Sequence, residues 1–110
     1  LPSGAISGID AIKAVRDELD SVVLTTTKHP DSLKGAKFFD DFKINLDQIK
    51  EKSTIFEGTA NEAVRLFPKN INVSALLSLS GLGSHETIVK IIVDPFTKKN
   101  THTLKLIQRG

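Results

Sequence analysis

Apolar positions recur along the chain with two different periods. In "SGIDAIKAVRDELD", Ile9, Ile12, Val15 and Leu19 form a helical stripe, and Ser7 with Asp10 resembles a capping box at its start. "SVVLTTT" is short and β-branched, which predicts a strand over 22–27. "KHPDSLKG" has the Pro, Asp, Ser and Gly of a turn. The next stretch, "AKFFDDFKINLDQIKEKS", is ambiguous in pattern. A short helix over 45–51, capped by Asn45 with Leu46 and Ile49 inward, is expected there, and "FFDDF" reads as loop or strand. "STIFEG" predicts another strand, followed by a helix that Thr59 and Glu62 cap as T-x-x-E and Pro68 stops. A further helix runs from about Asn72 to Gly81, and either Asn70 or Asn72 caps it.

The end of the chain alternates most clearly. "ETIVKIIVDP" and "NTHTLKLIQ", separated by "FTKK", are expected to pair as an antiparallel hairpin. Together the elements predict an α+β domain: a mixed β-sheet with helices packed on one face, ending in that hairpin.

Composition narrows the function classes. The chain of 110 residues has room for one domain with a modest core, and no apolar run approaches a membrane span of ~20 residues. A net charge of +2 without a basic block or interleaved exposed aromatics argues against nucleic acid as a partner. The absence of cysteine removes disulfides and zinc–thiolate sites and fits a reducing, cytoplasmic setting. Methionine is also absent, so we expect a fragment of a longer chain.

Candidate chemistry is sparse. His29 and His85 have the setting of exposed loop histidines. His102 differs, because alternation puts it on one face with Leu104 and Leu106, at the strand's beginning. A histidine there is either a satisfied rim residue, the commoner case, or a proton carrier. The three histidines have no metal-ligand spacing, so no metal is expected. "GLG" neither follows a strand nor opens a helix and is no dinucleotide fingerprint.

"SGAISGIDAI", "TIFEGTANEAVRLFPKNINVSALLSLSGLG" and "KIIVDPFTKKNTHTLKL" resemble, in order, the C-terminal domain of the L-aspartate dehydrogenase family. "TTTKHPDSL" departs from the "TTRKPP" form common in prokaryotic members, with Thr27 where an Arg often stands. The resemblance implies a missing N-terminal Rossmann domain that binds NAD or NADP, oxidation of L-aspartate to iminoaspartate, and a homodimer. By position it implies His102 as the active-site histidine, and Asn72 and Ala5 as cofactor contacts. The alternatives are a dehydrogenase or reductase for another amino or oxo acid, or a dimerisation module of the same fold without activity.

Overall fold

The computed structural model describes residues 18–83 and 85–109. Four strands form one mixed sheet: β1 (Leu19–Lys28), β2 (Ser53–Thr59), β3 (Glu86–Val93) and β4 (Thr101–Gln108), in the order β2-β3-β1-β4. β1 is parallel to β3 and antiparallel to β4, while β2 is antiparallel to β3. Among the described residues three α-helices complete the α+β arrangement: α1 (Phe38–Asp41), α2 (Ala60–Leu66) and α3 (Val73–Ser80). The helix expected over the N-terminal stripe lies outside the described residues. Leu19, placed at that helix's end by periodicity, instead opens β1 and is fully buried.

The expected hairpin needs correction. β3 and β4 do run in opposite directions, but β1 lies between them. The connection therefore spans two inter-strand spacings, roughly 10 Å, rather than one. Its start is pinned where Asp94 N–H donates to the Lys28 carbonyl at 2.9 Å, extending the β1–β3 ladder before Pro95 ends it. Alternation reports strands and their direction. It does not report that a more buried strand from elsewhere in the chain takes the slot between them.

Register sorts the two faces. Val22, Leu24, Thr26 and Lys28 of β1 lie across from Thr87, Val89, Ile91 and Val93 of β3. On the other side Val22, Leu24 and Thr26 lie across from Leu106, Leu104 and His102 of β4. Helices cover this face. Ala63 and Leu66 of α2, Phe67 and Leu76 pack with Val89, Ile91 and Val93, and Leu79 packs with Leu19 and Val22. The opposite face carries half-buried Val23, Ile88 and Ile92 and exposed Ile107, none of which joins either buried cluster.

The weakly patterned segment closes the core at the β2 side. "FFDDF" is neither loop nor strand but the single turn α1. Phe38 and Phe42, four residues apart, stack at 4.6 Å, and Phe38 also stacks on Phe67 at 5.1 Å. The helix expected over 45–51 is reduced to a 3-10 turn at Leu46–Gln48. Asn45 caps it as expected, but Ile49 turns extended and packs inward, which stops the helix. Thr59 and Glu62 form the expected capping box. Gly58 is required beside it, since a Cβ there would lie 2.8 Å from the Phe56 ring.

Phe67 is fully buried at the junction of α1, α2 and the sheet. Phe67→Ala should lower unfolding free energy by ~3–5 kcal/mol, read from the urea midpoint. Phe96→Ala, at a side chain 78% exposed, should leave that midpoint nearly unchanged.

Candidate active site

The polar residues of the covered face collect at one end of β1. Strand alternation sends Thr26 and Lys28 to the helix side of the sheet, and the β1–β4 register sets His102 directly beside Thr26. The Thr26 hydroxyl and His102 Nδ1 are 3.1 Å apart. Thr26 is essentially inaccessible, so its hydroxyl fixes one ring nitrogen while the exposed remainder of the imidazole stays reachable. His102 is thus seated at the rim and also open to a ligand.

Asn72 reaches the same end through helix direction. Leu79, in the last turn of α3, packs on Leu19 and Val22 at the start of β1. The first turn of α3 therefore lies toward the carboxyl end of β1, where β4 begins with Thr101 and His102. The joint before it is held by Asn70, whose amide donates to the Ser32 carbonyl at 2.7 Å, just beyond β1. The two asparagines thus divide the work. Asn70 ties the joint down, and Asn72 caps α3, its Oδ1 accepting from Ala75 N–H at 3.0 Å. Capping uses the Asn72 oxygen and leaves its NH2 without a partner among the described residues. Ala5 lies outside the described residues.

Electrostatics at this end favour a neutral imidazole. Partial burial lowers the His102 pKa below its ordinary 6.5, and the nearby Lys28 charge lowers it further. Burial likewise pulls the Lys28 ammonium below its usual range. Thr27, where family members often carry Arg, lies across from Ile92 and Thr101 on the opposite face. The departure from the family form therefore leaves the His102 side of the sheet intact.

The other histidines are more varied than their loop settings imply. His29 Nδ1 accepts from Asp31 N–H at 3.1 Å and caps the 3-10 turn Pro30–Leu33. His85, expected to be exposed, is buried at 8% accessibility, and neither ring nitrogen has a partner among the described residues. Its place just before β3, with Thr87 turned to the covered face, draws it under the core edge. Among the described residues no group of three or more His, Asp or Glu side chains has metal-binding geometry, and no helix is long and apolar enough to cross a membrane.

Lys28 is the residue that sequence reasoning passed over. In sequence it opens the turn pattern "KHPDSLKG", where nothing marks it for chemistry. Only the alternation through Thr26 to His102 shows which face it takes.

The described residues thus define a small mixed-sheet α+β domain that carries a hydroxyl-seated histidine, a buried lysine and a helix-capping asparagine. Residues 10–108 match the family model described as aspartate dehydrogenase, C-terminal, and the chain belongs to that family. It is 61% identical over 105 residues to the L-aspartate dehydrogenase of Nitrosopumilus maritimus, covering 96% of this chain and 39% of that protein. Identity to the L-aspartate dehydrogenase of Methanococcoides burtonii is 49% over 104 residues, covering 94% and 38%. The fold matches the crystal structure of aspartate dehydrogenase from Thermotoga maritima with a TM-score of 0.70 at 33% identity, over 96% of this chain and 40% of that one. The chain thus spans about two-fifths of the length of these relatives.

Two consequences follow for the domain. Asn72→Ala should cost ~1 kcal/mol through loss of the cap, and Asn72→Asp should restore most of it, measured by thermal unfolding. For His102 the folded state favours the neutral ring, whereas the unfolded ring takes its proton near 6.5. Its contribution to stability is full above pH 6.5. It declines as pH falls, until the folded ring also protonates below that value. An imidazole titration by NMR should place the His102 midpoint below 6.5.

Proposed function

We propose that this chain is the substrate-side domain of an NAD- or NADP-dependent L-aspartate dehydrogenase that converts L-aspartate to iminoaspartate, and thence to oxaloacetate and ammonia. The observation that carries this reading is the seating of His102 on Thr26, with Lys28 two residues further along the same face of β1; the direction of α3 supports bringing Asn72 toward that end. Family membership and the names of the relatives support it.

The residues divide the chemistry. A bound nicotinamide supplies the hydride acceptor. Hydride can leave the substrate Cα only if the amine is neutral, so a base must hold the amine proton. His102 suits this, since Thr26 occupies its Nδ1, its Nε2 remains to act, and its lowered pKa keeps it unprotonated at neutral pH. Once that proton has passed to the imine nitrogen, the freed Nε2 can take a proton from the water that attacks the iminium carbon. Asn72 offers its NH2 to the cofactor from a helix N-terminus whose free N–H groups favour anionic neighbours. Ala5, by its family position, is assigned to the cofactor side.

The sheet face that no described helix covers gives the proposed homodimer its surface. Val23, Ile88, Ile92 and Ile107 present apolar area that no described helix covers. A stable pair should bury at least ~1,000 Å². Sedimentation of the full-length protein should show a dimer, and Ile88→Lys should shift it to monomer. A wild-type monomer at high concentration would contradict the pairing.

Activity is tested in the full-length protein with L-aspartate and a panel of other amino and oxo acids. His102→Ala should reduce kcat with L-aspartate by ~10²–10⁴-fold and leave cofactor KM nearly unchanged. The wild-type rate should fall on the acid side through an ionisation below 6.5, and the variant should lose that limb. Near-normal turnover with the same limb would reduce His102 to a rim residue. Turnover of another acid in preference to aspartate would move the substrate assignment, and no turnover at all would favour a dimerisation module.

A further inference from the structure

Lys28 is 8% exposed, which is rare for a lysine without a partner. Among the described residues no carboxylate lies within ion-pairing distance of it. The nearest carboxylates along the chain are committed elsewhere. Asp31 pairs with Lys34 at 3.2 Å and lies 3.7 Å from His29, and Asp94 accepts from Phe96 N–H at 2.9 Å. The position is also open on one side. Lys28 lies across from Val93 of β3, but the β1–β4 pairing ends at Thr27 and Thr101, so β4 supplies no neighbour beside it. The next helix-side residue of β1 is Thr26, and beside that is His102.

We propose that the Lys28 ammonium anchors one carboxylate of the substrate and so sets the amine beside the imidazole of His102. This rests on the aspartate-oxidation reading and adds a binding residue to it. A largely buried cation with no counter-ion among the described residues is unfavourable, and a substrate carboxylate satisfies it. The direction of the Lys28 shift agrees, since only burial acts on it. Charge compensation also reaches the base. In the free protein Lys28 depresses the His102 pKa, so neutralising Lys28 with a bound carboxylate raises it and makes the imidazole a stronger proton acceptor once substrate is present.

The test uses the full-length enzyme with Lys28→Met and Lys28→Arg, after circular dichroism confirms folding. A lost charge-assisted hydrogen bond predicts that Lys28→Met raises KM for L-aspartate by roughly ten- to a hundredfold, with cofactor KM nearly unchanged. Lys28→Arg should recover much of that loss. The acid limb should move upward in Lys28→Met, because the cation that holds His102 low is gone. A merely structural lysine would lower thermal stability without this split between the two KM values. An unchanged KM for L-aspartate in folded Lys28→Met would overturn the proposal. A second measurement stands even if that variant does not fold. Succinate, a dicarboxylate without an amine, should raise the His102 NMR midpoint saturably in the wild-type protein, and no change would overturn the anchor. If the wild-type protein fails to oxidise L-aspartate, the aspartate reading falls, and the succinate titration still decides whether Lys28 holds a dicarboxylate.

Discussion

The register between β1 and β4 is the constraint on which the rest depends. It sets Thr26 beside His102, Leu24 beside Leu104 and Val22 beside Leu106. A slip of one residue would turn His102 to the face that no described helix covers and bury Thr103 and Lys105 against α3. The apolar half of the same strands prevents that slip. Leu104 and Leu106 pack against Leu19, Val22 and Leu79, so burial at one end of the strand fixes chemistry at the other. α3 contributes in the same way. Its last turn is held by packing, and its first turn carries Asn72 to the polar end.

This division of one sheet face into an apolar half and a polar half explains how so small a domain could carry the proposed site. The core supplies rigidity without using any of the polar groups. The threonines of β1 are the hinge of the arrangement. They have the β-branched shape that a central strand favours, and one of them also offers a hydroxyl where the histidine needs a partner. Thr27, the position at which this chain departs from the family form, belongs to the other face of the sheet.

Most of the fold was legible because its signals are local. The cap of Thr59 and Glu62, the stop at Pro68, the Asn72–Gly81 helix limits and the alternation of β3 and β4 all lie within a few residues of what they determine. The failures were non-local. Nothing near β3 or β4 shows that β1 enters between them, and nothing near "FFDDF" shows that Phe56 and Phe67 supply an aromatic wall for a helical turn. The buried state of His85 was missed for the same reason. The site was half legible. His102 stood out by its face, and Asn72 by its place at a helix start. Lys28 was invisible until the register showed which side of the sheet it occupies.

The central claim is that the carboxyl end of β1, on the helix-covered face, is where substrate and cofactor meet. A crystal structure of the full-length protein with its nicotinamide cofactor and a non-reactive dicarboxylate tests it most directly. The account predicts the nicotinamide ring within hydrogen-bonding reach of Asn72, with the dicarboxylate between Lys28 and His102. Ligands bound on the opposite sheet face, or at the β2 edge near Phe42 and Arg65, would contradict it.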